Sequence, residues 1–197
     1  MRIGSLFSGV GGLELGLEWS GIGHTVFQVE KDPFCRSVLA RHWPDVPRLE
    51  DVKTATTKSL PACDLLCGGF PCQDVSSAGK GAGLAGERSG LWFEFLRIVG
   101  EIRPTWVVVE NVASGASRWV DTVVSGLEQL GYACLPVPLS AADVGAPHKR
   151  ARVFVAARRL ADADSAGRER QGPPQPARRL SDPEPTRSGE SVAANTI

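Results

Sequence analysis

A cysteine that directly follows a proline is well placed in this chain to act as a nucleophile. Residues 68–73 read Gly-Gly-Phe-Pro-Cys-Gln; an apolar run leads into them and a glycine-rich segment, residues 79–86, follows. The proline fixes its own φ angle and lacks a backbone donor, which stiffens the presentation of Cys72. The alternative is a small buried cysteine at a strand end, because free cysteines usually pack as hydrophobic groups.

Charged side chains near other apolar runs could assist such a thiol. Glu110 follows four apolar residues, 106–109, where a carboxylate is costly to bury unless it has a partner. With a raised pKa it could hydrogen-bond a polar ring nitrogen; otherwise it is a strand-end glutamate facing water. Arg150 and Arg152 share one strand face if their strand begins early, and two guanidinium groups there could bind a phosphate, a carboxylate or a base carbonyl. A solvated basic strand start is the alternative.

The spacing of apolar runs predicts alternating strands and helices over residues 1–158. We predict strands at residues 2–7, 25–29, 48–49, 64–67, 106–109, 134–139 and 153–157. We predict helices at residues 13–19, 33–41 (capped by Asp32), 90–102 (capped by Ser89) and 120–130. The run 106–109 is typical of a strand buried on both faces. This alternation predicts a doubly wound, mostly parallel α/β sheet.

The carboxyl ends of the predicted strands collect most of the polar candidates. Ligands of open α/β sheets bind at this edge. The first strand runs into a glycine-rich turn, residues 7–12, and later strand ends carry Glu30, Asp51, Cys72 and Glu110. The turn lets the backbone approach a ligand, and an acid about 20 residues beyond it suits ribose hydroxyls. A nicotinamide cofactor, an adenosyl ligand or a purely structural turn would each explain this pair, although the glycine spacing is not G-x-G-x-x-G and Phe7 suits stacking beside an adenine.

Composition narrows the class of protein. The formal net charge is zero, so no global basic field attracts a polyanion. Five cysteines, an odd number without framework spacing, favour free thiols and the cytoplasm, and their spacing predicts no metal site. No apolar run is long enough to span a membrane. Residues 159–197 are rich in Arg, Pro, Ser, Asp and Gly, which predicts a polar linker or disordered tail after a domain at 1–158.

Taken in order, these segments resemble the DNA (cytosine-5) methyltransferase family. The resemblance rests on Phe7–Gly12, Glu30, Asp51-Val52, Pro71-Cys72-Gln73, the segment around Leu91, Glu110-Asn111-Val112, and His148 with Arg150 and Arg152. The similarity covers about residues 1–158. Ser5 stands where many members carry Asp, and His148 stands where the family carries Gln. The sheet is therefore expected to be of the Rossmann-like type found in S-adenosylmethionine-dependent methyltransferases.

The resemblance implies an activity and a role for each residue. The expected reaction transfers a methyl group from S-adenosyl-L-methionine to carbon 5 of cytosine in double-stranded DNA, for restriction-modification or phage DNA protection. It proceeds by base flipping and covalent catalysis, with residues 76–86 closing over the flipped nucleotide. The implied catalytic residues are Cys72, Glu110, Arg150 and Arg152. The implied cofactor-binding residues are Phe7, Gly9, Gly11, Gly12, Glu30, Lys31, Asp51, Val52, Pro71 and Leu91. The implied substrate-binding residues are Gln73, Ser76, Asn111 and His148.

The resemblance also raises the question of what completes the enzyme. Family members normally continue with a target-recognition domain and two further motifs, which this sequence does not contain. We therefore expect a complementary chain to carry the recognition domain. The alternatives are a methyltransferase subunit that is inactive without such a partner, and a tRNA cytosine-5 methyltransferase with a similar core.

Overall fold

The computed structural model describes residues 1–71 and 90–161, and these residues contain one sheet of seven strands. The strands are β1 Arg2–Leu6, β2 His24–Val29, β3 Arg48–Leu49, β4 Leu65–Gly68, β5 Trp106–Val112, β6 Tyr132–Ser140 and β7 Ala151–Arg159. Their order across the sheet is β3-β2-β1-β4-β5-β7-β6. The first five strands are parallel, whereas β7 runs antiparallel to both β5 and β6. The predicted doubly wound, mostly parallel sheet is confirmed.

Four helices flank the strands in the described part of the chain. They are α1 Gly12–Trp19, α2 Pro33–His42, α3 Leu91–Ile102 and α4 Ala116–Gln129. Asp32 caps α2 as predicted, because its Oδ1 accepts a hydrogen bond of 2.9 Å from the Cys35 amide. Ser89, the predicted cap of α3, lies outside the described residues. None of the described helices is long and apolar enough to cross a membrane.

The main core lies between the sheet and helices α3 and α4. Trp92 and Phe95 of α3 and Trp119 of α4 are fully buried against the inner side chains of β5 and β7. On the opposite face, Leu13 and Leu17 of α1 pack against a smaller cluster from β1 and β4. Both layers therefore fix the strand ends that carry the polar candidates.

The expectation that residues 106–109 form a strand buried on both faces holds fully for one face and only in part for the other. In β5 the buried residues are Val107, Val109 and Asn111, and the alternate positions are only partly buried. Helices α3 and α4 cover one face, while on the other Trp106 and Val108 pack, partly buried, against the small cluster from β1 and β4. Glu110 therefore lies within the strand on its partly open face, rather than at the strand end, since β5 continues to Val112.

Candidate active site

A cleft of about 380 Å³ opens at the carboxyl ends of the parallel strands. This volume is within the range of about 300–1,000 Å³ that is typical of small-molecule sites. Its lining residues are Phe7, Val29, Lys31, Glu50, Asp51, Val52, Lys53, Pro71 and Leu91. The sequence predicted cofactor binding for six of these residues: Phe7, Lys31, Asp51, Val52, Pro71 and Leu91. It did not predict Glu50 and Lys53. Both flank Asp51-Val52 in the sequence, and this position could have indicated that they line the cleft.

The glycine-rich turn forms one side of this cleft and adopts unusual backbone angles. Phe7 has a φ of 55°, which is uncommon for a residue with a side chain, and its ring stacks on Phe95 at 6.5 Å between centroids. Gly9 and Gly11 have φ values of 56° and 87°. Gly9, Gly11 and Gly12 are not among the lining residues. They shape the turn instead, and Gly11 leads into α1 as its N-cap.

Two carboxylates anchor the turns beside the cleft. Glu30 accepts hydrogen bonds from the Gly9 amide at 2.7 Å and from the Asp32 amide at 2.8 Å. Because a carboxylate offers about four lone-pair sites, these two bonds leave acceptor capacity for a ligand. Asp51 accepts from the Lys53 amide through Oδ1 at 2.9 Å and caps the short 3₁₀ turn Val52–Thr54. Its second oxygen makes no hydrogen bond with the described residues.

A second group of charged residues lies within β5, near its carboxyl end, and at the start of β7. Arg152 Nε and Glu110 Oε1 form an ion pair at 2.6 Å, and both side chains are largely shielded, at 20% and 27% exposure. Shielding from water strengthens the attraction between two opposite charges. A Cβ on Gly69 would lie 2.7 Å from Glu110 Oε2, so the glycine provides the space that the carboxylate occupies. Glu110 thereby lies against the segment that leads to Cys72.

Asn111 ties the same segment to β5. Its Nδ2 donates to the Phe70 carbonyl at 3.0 Å, its Oδ1 accepts from the Val112 amide, and its exposure is only 4%. The family resemblance implies that Asn111 contacts substrate, whereas here its amide group bonds to backbone. Within the described residues, its contacts hold the turn that precedes Pro71.

Arg150 and His148 lie in the loop before β7. The hypothesis that Arg150 and Arg152 share a strand face was wrong, because β7 begins at Ala151 and Arg150 has a φ of 32°. Both arginines nevertheless line one smaller cleft of about 220 Å³, together with Glu110, Phe154 and Leu139. His148 is exposed and is not among the residues that line it. The predicted nucleophile Cys72, with Gln73 and Ser76, lies outside the described residues.

Sequence reasoning missed a buried acid beneath the glycine-rich turn. Glu14, in the first turn of α1, is fully buried, and its carboxyl oxygens have no hydrogen-bond partner among the described residues. Burial raises the pKa of Glu14, and the neighbouring Ser5 and Ser8 hydroxyls oppose that shift only in part. An acid on the apolar face of an amphipathic helix, three residues after Gly11, was the signal that could have indicated it.

Comparisons with known proteins assign the chain to a family. The profile of the C-5 cytosine-specific DNA methylase family matches residues 1–191. The chain belongs to this family. It is 37% identical over 165 residues to the Type II methyltransferase M2.BsuMI of Bacillus subtilis, covering 80% of this chain and 42% of that protein. It is 35% identical over 198 residues to the Type II methyltransferase M.AquIA of Picosynechococcus, covering 89% of this chain and 79% of the relative.

A structural comparison supports the same fold. The Entamoeba histolytica methyltransferase EhMeth superposes with a TM-score of 0.69 over 82% of this chain and 53% of that one. At 19% identity this likeness concerns the fold alone. The chain spans less than half the length of M2.BsuMI, whereas it covers most of the shorter M.AquIA.

Proposed function

We propose that this protein transfers a methyl group from S-adenosyl-L-methionine to carbon 5 of cytosine in double-stranded DNA, as part of restriction-modification or phage DNA protection. One observation carries the proposal. The backbone segment that leads to Cys72 is shared by both clefts: Pro71 lines the first, and Gly69 contacts Glu110 of the second. A cofactor and a reacting base held in the two clefts would therefore meet beside the predicted nucleophile. Family membership and the Type II methyltransferases among the relatives favour DNA as the substrate.

The first cleft fits the proposed cofactor. Its apolar walls, Phe7, Val52 and Leu91, suit the faces of an adenine ring, and Asp51 has one carboxylate oxygen that no described residue hydrogen-bonds. Glu30, bonded to the Gly9 amide of the glycine-rich turn, has acceptor capacity for ribose hydroxyls. When bound there, S-adenosyl-L-methionine supplies an electrophilic methyl group. The protein's own contribution is to bind and orient it.

The second group of residues fits covalent activation of a cytosine. Carbon 5 of cytosine is too weak a nucleophile on its own, so we propose that the Cys72 thiolate adds to carbon 6 and makes carbon 5 electron-rich. A proton shared between the Glu110 carboxyl group and ring N3 makes the hydrogen bond there and offsets the negative charge that thiolate addition places on the ring. Arg152, which is ion-paired with Glu110, orients this carboxyl group and directs its N–H groups to the cytosine O2. After methyl transfer, a water molecule accepts the proton of carbon 5, the electron pair of that C–H bond re-forms the double bond between carbons 5 and 6, and the bond to Cys72 breaks to restore the thiolate.

The base must leave the DNA duplex to reach these groups, at a cost of a few kcal/mol. We propose that Gln73, Ser76 and His148 contact the flipped nucleotide and the nearby backbone, while Arg150 helps to order the site. Asn111 supports them indirectly, because its bond to the Phe70 carbonyl holds the turn that presents Cys72.

We also propose that residues 1–158 form the catalytic domain and that residues 159–197 form a polar linker. Recognition of the DNA sequence then depends on residues outside this catalytic domain. Leu135, Val137 and Leu139 are exposed along β6, and their register places them on the same sheet face as Arg152 and Phe154. An apolar face beside the catalytic group suits a packed protein segment rather than water. Family members more than twice as long as the matched region have the sequence to supply one.

Methyl transfer tests the activity. We propose that the protein acts in the cytoplasm. It should transfer tritiated methyl groups from S-adenosyl-L-methionine to duplex DNA, and hydrolysis of that DNA should yield labelled 5-methyldeoxycytidine. A polypeptide that carries a recognition domain should raise the rate of the 197-residue chain greatly. Label in N4-methyldeoxycytidine or in RNA alone would contradict the proposed reaction. Normal turnover at a defined sequence by the chain alone would contradict the proposed dependence on other residues.

A further inference from the structure

The indole ring of Trp43 lies directly behind the glycine-rich turn. A Cβ on Gly11 would lie 2.5 Å from Trp43 Cζ3 and 2.7 Å from Cη2, so the ring is in close contact with the turn's backbone. Gly11 also has a φ of 87°, which disfavours any residue with a side chain. The shape of the turn at this point is therefore matched to the position of the Trp43 ring.

A carboxylate fixes the orientation of that ring. Trp43 Nε1 donates to Glu18, at 3.1 Å from each carboxylate oxygen. Glu18 Oε1 also accepts from the Thr25 amide at 2.8 Å and from the Thr25 hydroxyl at 2.6 Å. Burial opposes ionisation of Glu18, but the hydrogen bonds from Thr25 and Trp43 outweigh it and lower the pKa of this carboxyl group. The ring is thus linked to both α1 and β2 through an ionised acid.

The backbone of Trp43 is held as well. Its amide donates to the Leu39 carbonyl at 2.8 Å at the end of α2, and its carbonyl accepts from Arg48 at 2.7 Å. At another residue of the same turn, Glu30 accepts from the Gly9 amide at 2.7 Å. The glycine-rich turn is therefore held at two points, by Glu30 at Gly9 and by Trp43 at Gly11.

We infer that Trp43, oriented by Glu18, is a positioning residue that holds the glycine-rich turn in the conformation that binds the cofactor. Trp43 does not line the cleft in the described structure, so it acts through Gly11 rather than by contact with a ligand. The inference rests on the proposed function, since the ligand concerned is the adenosyl cofactor. It assigns the pair Glu18 and Trp43 a role that the order of sequence motifs does not indicate.

The test compares Trp43→Phe with Trp19→Phe in the full 197-residue chain. Trp43→Phe keeps an aromatic ring but removes the donor to Glu18, and Trp19 is an 81% exposed control at the end of α1. Hydrogen exchange of the ligand-free protein reports on the turn, and calorimetry with S-adenosylhomocysteine reports on affinity. Loss of a hydrogen bond to a charged group corresponds to a change of about tenfold or more. We expect amides of residues 9–12 to exchange about tenfold faster, and the dissociation constant to rise about tenfold, in Trp43→Phe only.

The outcomes separate this inference from the proposed function. The inference would be overturned if Trp43→Phe had the same amide exchange rates and the same affinity for S-adenosylhomocysteine as Trp19→Phe. It would also be overturned if amide exchange in Trp43→Phe became faster evenly over the sheet while its affinity stayed unchanged. If Trp43→Phe fails to fold, Glu18→Gln serves instead, because it keeps the indole ring and weakens the acceptor of its N–H group. We then expect the amides of residues 9–12 alone to exchange about threefold faster. A wild-type chain that binds no S-adenosylhomocysteine would count against the proposed function, while the exchange comparison would still decide whether Trp43 orders the turn.

Discussion

Adding one methyl group at Gly69 should disturb Glu110 while leaving the cofactor cleft intact. A Cβ there would lie 2.7 Å from Glu110 Oε2 and 3.3 Å from its backbone oxygen. Ordinary contacts begin near 3.4 Å, so the carboxylate must retreat by about 0.7 Å. Because a misplacement of about 1 Å can cost about 10²-fold in rate, we expect Gly69→Ala to slow methyl transfer about 10- to 100-fold with unchanged cofactor affinity.

The assay is tritiated methyl transfer to duplex DNA under conditions in which the wild-type protein is active, with calorimetry for cofactor affinity. Gly16→Ala is the matched control: no atom lies within 4 Å of its added Cβ, and alanine inside a helix is favoured by about 0.5–1 kcal/mol over glycine. In a Glu110→Ala background the Gly69→Ala change should have little further effect, because the methyl group then meets no carboxylate. A Gly69→Ala enzyme with the wild-type rate would refute the assignment of Glu110 to catalysis from this position.

Two further predictions concern the acidic side chains. Glu30→Ala should weaken S-adenosylhomocysteine binding about tenfold or more by calorimetry, because hydrogen bonds to a charged group are lost and the Gly9 amide loses its acceptor. Glu110→Ala should weaken binding less. A larger loss of affinity in Glu110→Ala than in Glu30→Ala would contradict the assigned clefts. Glu14 has a raised pKa in the folded state, so its contribution to stability is complete below its unfolded pKa of about 4.3 and is lost as pH rises through its folded pKa. In urea denaturation, the free energy of unfolding of Glu14→Gln should therefore increase relative to that of the wild type as pH rises from 4 to 8. If the difference between the two free energies does not change with pH, Glu14 is not held neutral by burial.

Local patterns predicted the elements well because local physics determines them. The apolar run that precedes Gly69 and the cap Asp32 with Pro33 each need only their neighbours in sequence to be recognised. The doubly wound sheet follows from their alternation. Element ends were less accurate: α4 begins at Ala116 rather than near residue 120, because residues 116–119 pack Trp119 into the core and extend the helix.

The contacts that organise the site could not be predicted from local patterns. Glu110 and Arg152 are 42 positions apart in sequence numbering, and only the antiparallel register of β5 and β7 brings them to 2.6 Å. The contact between Trp43 and Gly11 likewise depends on how α2 packs beside the turn. The order of family motifs indicated which residues matter, whereas the structure shows that Asn111 bonds to the Phe70 carbonyl.

Covalent trapping tests the central claim, methylation of cytosine through Cys72, most directly. Duplex DNA that contains 5-fluorocytosine allows addition at carbon 6 and methyl transfer. Carbon 5 then carries fluorine in place of the proton that a base would remove, so Cys72 cannot be eliminated and the adduct persists. With S-adenosyl-L-methionine present, we expect the active protein to form a denaturation-resistant complex, and peptide mass spectrometry to locate the DNA on Cys72. Cys72→Ser should abolish the complex. An adduct that survives in Cys72→Ser, or that maps to another residue, would contradict the proposed mechanism.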